Sequence, residues 1–373
     1  MIHNNENAKR QHPIRVMLGI DFIGDNLEGA MRSLRLWSAY IGADQRVLLT
    51  LGMSHFSDRG ALLPGSDALT PRDAAALIAR GVLPPVTGIA QWTSDIDKRL
   101  IHVLRSEGIN ATPFFNLFNY GSVVNRLLLM SHAKGCDVLM RVDPGTAPPL
   151  GISFGEILDE HLSRIENDPT VVVSRRYAER LTLRDDYVRD RARIDAHRRL
   201  VAATTGMDVK NQITGGALLS FRPPGIPAIC FPGSTDGPTL VWASDDGIYD
   251  TLSIMEHGVT TVLFKSHPVT RFDSVGMPKP WQTYYRGIVG RVLLGVLLRG
   301  EKEAAGLQAA ERFLTALKAL AAVPKDAAID AVAPPGFRAA VRVGVENYGV
   351  LRKTWFLIAD ILREEIDELT RID

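Results

Sequence analysis

Gly135-Cys136-Asp137-Val138-Leu139-Met140-Arg141-Val142-Asp143-Pro144-Gly145 is the stretch that decides the fold. Cys136 to Val142 reads as a strand that ends abruptly in a carboxylate and a turn. Val123 to Lys134, before it, has helical spacing, and Gly135 stops that helix. In an open α/β sheet, ligands sit at the carboxyl ends of the strands. The strand therefore delivers Asp143 to the place where a ligand would lie. A carboxylate there either holds a divalent cation that grips phosphate oxygens or simply initiates a turn before Pro144.

Working outward, the chain opens with the same alternation. Ile14 to Phe22 is a mostly apolar run without strict alternation, as in a strand buried on both faces. Gly24-Asp25-Asn26 is a turn and cap cluster. Leu27, Ala30, Met31, Leu34, Trp37 and Ser38 then recur at helical spacing, and Arg46 to Leu51 is a second strand. Strand, helix, strand predicts a parallel sheet with a right-handed crossover. A loop follows from Ser54 to Gly65. Helices are predicted over Pro71 to Arg80 and from Thr93 or Ser94 to Leu104, with Thr112 to Leu117 as a third strand. Thr170 to Ser174 and Val259 to Phe264 are further strands. Residues 206–242, rich in Gly and Pro, read as loops with short strands. Helices are expected over 244–257, 279–299, 301–322 and 337–369. The organisation expected is a disordered leader over 1–13, an α/β domain over 14–275 and a helical region over 276–373.

The 373 residues are 46% hydrophobic and 23% charged, which excludes a disordered chain or a small disulfide scaffold. The net charge of +1 gives no electrostatic case for nucleic acid as a partner. The arginines from Arg175 to Arg199 alternate with Glu179, Asp185, Asp186, Asp190 and Asp195. They read as a solvated helical face, or as a site for an anionic substrate or lipid head group. Cys136 and Cys230 form no CxxC pair and suit a reducing compartment. The leader has no apolar core of a signal peptide. Ile288 to Leu298 is too short to span a bilayer and is interrupted by Arg291. A cytoplasmic protein, with peripheral membrane contact as an option, is the expectation.

Chemistry concentrates at four further places. Asp21 and Asp25 follow the first strand, and Ser54 to Asp58 follow the second. Trp242-Ala243-Ser244-Asp245-Asp246-Gly247 puts paired acids at a helix start. One of them caps the helix, or takes a proton from a hydroxyl nucleophile. Lys265-Ser266-His267-Pro268 ends a strand, where the His is structural, a metal ligand or a proton partner.

Taken in order, these segments resemble family-2-type glycosyltransferases with the nucleotide-diphospho-sugar-binding GT-A fold. Leu27 to Leu34 looks like the family's first helix. Asn125-Arg126 and Ala133 to Asp143 look like its helix–Gly–strand–Asp core. Gly215 to Arg222 resembles the glycine-rich segment on the acceptor side. Ser244-Asp245-Asp246 through Gly258 looks like the helix with the catalytic base, and Tyr284-Tyr285-Arg286 like the aromatic–Arg stretch after it. The fold implied is α/β, a mostly parallel central sheet flanked by helices, with a helical C-terminal region.

The resemblance implies a nucleotide-diphospho-sugar donor and a sugar-containing or other hydroxyl acceptor. Donor-binding residues would be Asp21, Asp25, Ser54, Asn125, Asp143 and Arg286. Gly215, Gly216 and Trp242 would line the acceptor. Asp246 would be the base of an inverting transfer, oriented by Asp245. Mn²⁺ or Mg²⁺ would sit on Asp143 and His267 and stabilise the leaving diphosphate. Gly145 replaces the second acid of the family's Asp-x-Asp. Two alternatives stand beside this reading. One is an inactive GT-A-like binding or scaffold protein, favoured by Gly145. The other is a sugar nucleotidyltransferase, disfavoured because Gly19 to Gly24 supplies no Gly-x-Gly-x-Arg loop. The apolar positions Leu351, Trp355, Ile358 and Leu362 are expected to pack on the catalytic domain or on a second subunit.

Overall fold

The computed structural model describes residues 12–23, 27–56, 76, 79, 88–110, 120–166, 168, 170–177, 216–225, 227, 260–271 and 349–364. It opens with β1 (Ile14–Ile23), α1 (Leu27–Gly42), β2 (Val47–Phe56), β3 (Gly88–Trp92) and α2 (Ser94–Ser106). Then come α3 (Tyr120–Ala133), β4 (Val138–Val142), β5 (Thr146–Ala147) and α4 (Phe154–Ile165). Strands β6 (Val171–Tyr177), β7 (Gly216–Phe221) and β8 (Thr260–Arg271) follow, and residues 349–364 form helix α5.

The strands lie in the order β3-β2-β1-β4-β7-β6-β8-β5. Neighbours β1–β2, β2–β3, β1–β4 and β6–β8 are parallel, while β7 runs antiparallel to both β4 and β6. The protein is thus an α/β fold whose central sheet carries mostly parallel strands flanked by helices, the class expected from the sequence. Two antiparallel steps across β7 leave β6 parallel to β4, so the carboxyl ends of β1, β2, β3, β4 and β6 share one edge.

Alternation along the strands splits the interior into two layers. On one face Val16, Leu18, Ile20, Leu49, Leu51, Val138, Met140 and Val142 pack against Ala30, Leu34, Trp37 and Ile41 of α1 and Phe154, Ile157 and Leu158 of α4. Full burial of each large side chain contributes about 1.5–3 kcal/mol. Helix α4 begins with a capping box: the Ser153 hydroxyl accepts from the Glu156 backbone N–H, and the Ser153 N–H donates to Glu156 Oε2 at 2.8 Å. On the other face, Leu127 and Met130 of α3 press on Gly19 and Gly52. A Cβ on Gly19 would stand 2.9 Å from Leu139 Cδ1, and one on Gly52 2.6 Å from Met17 Sδ. The glycines let α3 approach the sheet.

Helix α5 buries Leu351, Trp355, Ile358 and Leu362. Trp355 Nε1 donates to the Pro224 carbonyl at 2.9 Å, and Asp360 lies 3.6 Å from His132 Nε2 of α3. The predicted apolar stripe therefore packs on the sheet domain of the same chain. Among the described residues no helix is long and apolar enough to cross a membrane.

Several boundaries differ from the sequence reading. Strand β2 continues to Phe56, so Ser54 is inside it and not in a loop. Strand β3 falls where the sequence reading places no element; its five residues are too few to show a period. Strand β6 continues to Tyr177, and Arg175 is buried in it, not part of a solvated helical face. Strand β8 runs through Lys265–Pro268 to Arg271. Polar residues and a proline there read as a strand end. Arg175 sustains the strand by donating from Nη1 to the Ser266 carbonyl at 2.7 Å, where the β6–β8 register shifts. The strand predicted at 112–117, most of the helix at 71–80 and the helices predicted between 244 and 322 lie outside the described residues.

Candidate functional site

The parallel register assembles the candidate site. Asp21 of β1 pairs with Ser54 of β2, and Ser54 with Trp92 of β3. Ile20 pairs with Val142, the last residue of β4, so Asp21 and Asp143 come next at the same edge. Gly216 reaches that edge too, because β7 is antiparallel to β4 and Leu218 stands opposite Val142. Three donor-side residues and one acceptor-side residue singled out from the sequence thus share the carboxyl edge of the sheet. Ser54 is fully buried, and its hydroxyl has no hydrogen-bond partner among the described residues.

The turn after β4 is held tightly. Thr146 Oγ1 donates to the Asp143 carbonyl at 2.6 Å and accepts from Trp37 Nε1 at 3.1 Å. The Thr146 N–H donates to Ser33 Oγ at 2.9 Å. Gly145 sits at φ +78°, the left-handed region that favours glycine. The Asp143 backbone thus initiates a turn, the second of its two sequence readings, and its side chain is 35% exposed at the edge. Its carboxylate lies 3.6 Å from Nη2 of Arg141, whose side chain is only 2% exposed. Arg141 was not singled out from the sequence. The available signal was a lone charge in an apolar strand.

Asn125 is buried on α3. Its neighbour Arg126 forms a buried ion pair with Asp97 of α2, Nη2 to Oδ2 at 2.9 Å. Trp92 Nε1 donates to the same carboxylate at 2.7 Å. Burial pushes the Asp97 carboxyl up, against the pull of Arg126 and the Trp92 N–H. This cluster ties α2 and α3 to the end of β3, beside Ser54.

His267 is not brought to Asp143 by the described strands. Thr146 pairs with Arg271 and Ala147 with Thr270, antiparallel, so Asp143 and His267 lie beyond opposite ends of that pairing. His267 is exposed, with φ 44°. Glu156, held below the usual carboxylate range mainly by the Ser153 N–H and hydroxyl, also feels His267. Beneath β8, Arg175 pairs with Glu160 and packs its guanidinium over Phe264, 5.2 Å from the ring centroid. His161 stacks on the same ring and shares a 2.7 Å hydrogen bond through Nδ1 with Ser220 Oγ. Burial, with Arg175 nearby, pushes the His161 pKa down to about 3.

Asp25, Gly215, Trp242, Asp245, Asp246 and Arg286 lie outside the described residues. Among the described residues no group of three or more His, Cys, Asp and Glu side chains could hold a metal ion. The described ligand set does not fit the expected cation: Asp143 has a guanidinium beside it, Gly145 offers no carboxylate and His267 is directed elsewhere.

No protein-family model matches the chain, and no curated protein does either. Similar solved structures include a mannosyltransferase from Pyrobaculum calidifontis in complex with GDP-Man and Mn²⁺. It is 14% identical, with 95% of this chain and 88% of that chain covered and a TM-score of 0.38. Glucosyl-3-phosphoglycerate synthase from Mycobacterium tuberculosis, in complex with Mn²⁺, UDP-Glc and phosphoglyceric acid, is 12% identical, with coverages of 75% and 80% and a TM-score of 0.39. Mouse xyloside xylosyltransferase 1 is 12% identical, with coverages of 57% and 68% and a TM-score of 0.30.

Proposed function

We propose that the protein is a glycosyltransferase that moves a sugar from a nucleotide-diphospho-sugar to an acceptor hydroxyl. The observation that carries this reading is the row Asp143–Asp21–Ser54 at the carboxyl edge of adjacent parallel strands. That edge is where α/β sheets bind ligands. Asn125, Asp25 and Arg286 complete the donor side in this reading, and Gly215, Gly216 and Trp242 the acceptor side. The catalytic unit is residues 14–275, with 276–373 as a helical extension.

The reaction follows from charge and geometry. The bond from the anomeric carbon to the diphosphate oxygen breaks, and negative charge grows on the leaving group. Arg286 offsets that charge electrostatically. The acceptor oxygen attacks from the opposite side, and its proton passes to Asp246, oriented by Asp245. Inversion at the anomeric carbon results.

The test is thermal unfolding of the full chain with UDP, GDP, ADP and dTDP, followed by transfer assays with the matching nucleotide sugar. A ligand at about 100 times its Kd stabilises by about 2.7 kcal/mol, so one diphosphate should raise Tm clearly. Asp246→Asn should lower transfer by about 10²–10⁴-fold while leaving that shift intact. No shift with any diphosphate would remove the reading. A shift without turnover would favour the non-catalytic binding protein that Gly145 also suggests.

A further inference from the structure

We propose that helix α5 joins two copies of this chain, packing antiparallel on itself through its outer face. The inference is independent of the glycosyl-transfer reading and concerns a surface away from the carboxyl edge.

Two stripes run along residues 349–364, as about 3.6 residues per turn requires. Leu351, Trp355, Ile358 and Leu362 form the inner stripe and are buried against the domain. Val350, Lys353, Leu357, Asp360 and Glu364, at alternating steps of three and four, form the outer one, and all are exposed. Phe356 flanks the outer row, with Arg352 and Arg363 beside it. Phe356 is 61% exposed, Val350 50% and Leu357 49%. These are three of the four exposed large apolar side chains among the described residues, gathered on one helix. Scattered singly they would need no explanation; gathered, they mark a contact surface.

The charges on the row say what covers it. Lys353 stands in its N-terminal half, Asp360 and Glu364 in its C-terminal half. Parallel copies would set Lys353 against Lys353 and Asp360 against Asp360. Antiparallel copies, related by a two-fold axis between Phe356 and Leu357, set Lys353 of each opposite Asp360 of the other. Val350, Phe356 and Leu357 of both copies then meet around the axis. Such a contact is self-complementary, as a two-fold interface must be, and it keeps like charges apart. Asp360 is available for it: its side chain is 74% exposed, although it lies 3.6 Å from His132 Nε2. An anionic membrane fits the row less well, because Asp360 and Glu364 would face lipid phosphates. Trp355 ties α5 to the Pro224 carbonyl, just past the end of β7. Because β7 is antiparallel to β4, that end lies at the amino edge of the sheet, away from the candidate site.

The experiment is sedimentation velocity of the full chain at pH 8, from about 1 to 100 µM, a span suited to a contact of one helix per copy. Wild type is expected to pass from the mass of one chain to that of two over this range. Phe356→Asp with Leu357→Asp should stay at one chain throughout. Lys353→Glu should weaken association about tenfold, and adding Asp360→Lys should restore it to within about threefold. Melting temperatures equal to wild type certify that the variants fold; should the apolar variant not fold, the charge exchange decides. A wild type of one-chain mass at every concentration overturns the proposal and assigns the face to the chain's own residues outside the described set. One-chain wild type that floats with phosphatidylcholine–phosphatidylserine vesicles overturns it in favour of a membrane. A dimer that survives Phe356→Asp with Leu357→Asp, or a Lys353→Glu defect that Asp360→Lys does not repair, overturns it as well.

Discussion

The two faces of the central sheet are built differently. The face under α1 and α4 is a continuous aliphatic layer from Val16, Leu18 and Ile20 to Val138, Met140 and Val142. The face under α3 has glycines at positions 19 and 52 and a buried arginine at 141. Nearby, α3 carries a second buried arginine, Arg126, paired with Asp97. An aliphatic layer stabilises without specifying a ligand. Glycines and paired charges stabilise less, but they fix where polar groups stand at the carboxyl edge. The α3 face is accordingly the one that prepares a site, and the α1 face the one that holds the fold.

That division can be broken most forcefully at Arg126. Arg126→Met leaves Asp97 buried without its ion partner and should cost about 3–5 kcal/mol in urea unfolding. Arg126→Met with Asp97→Asn should recover part of the loss, because the uncompensated charge is gone. A single variant as stable as wild type would mean that the pair does not organise this face.

Leu18→Ala and Gly19→Ala sharpen the contrast, since adjacent residues face opposite layers. Leu18→Ala opens a cavity and should cost about 2–5 kcal/mol. Gly19→Ala overpacks against Leu139 and Leu127 and should cost about 1–3 kcal/mol. Thermal melts in which either Leu18→Ala or Gly19→Ala is as stable as wild type would contradict the layer assignment.

The α4 end of the aliphatic face carries buried polar groups, among them Arg175, Ser220 and His161, and pH exposes His161. Its folded pKa of about 3 lies below the ordinary 6.5. The unfolded chain therefore binds a proton that the folded chain refuses. Stability should be fully present above about pH 6.5 and fall as pH drops toward 3, by at most about 1.4 kcal/mol per unit. His161→Gln should flatten the Tm-against-pH curve between pH 6.5 and 4.5. An unchanged slope would show that His161 is not held neutral.

The sequence was legible where one element sits on one period. Strand β1, α1, α3 and β4 were read from apolar runs and helical spacing, and Asp143 was placed at a strand's carboxyl end. The edge row was half legible: Asp21, Ser54 and Asp143 were each singled out, but only register puts them side by side. What escaped depended on partners distant in the chain. Strand β8 keeps its course through Lys265–Pro268 because Arg175 of β6 binds the Ser266 carbonyl, which no local pattern encodes. Arg141 was not singled out, because no local pattern shows that its guanidinium lies 3.6 Å from the Asp143 carboxylate. The family resemblance put His267 with Asp143 at one cation, whereas the two lie beyond opposite ends of the β5–β8 pairing.

The central claim is that a nucleotide-sugar donor lies on the carboxyl edge of β1, β2 and β4. Amide hydrogen exchange of the full chain, with and without each of UDP, GDP, ADP and dTDP, tests this most directly. The account predicts slowed exchange at the ends of β1 and β2 and in the turn from Asp143 to Thr146. Slowed exchange confined to the opposite edge, around Asp137, Glu166 and Arg222, where a cavity of about 270 Å³ opens, would contradict it.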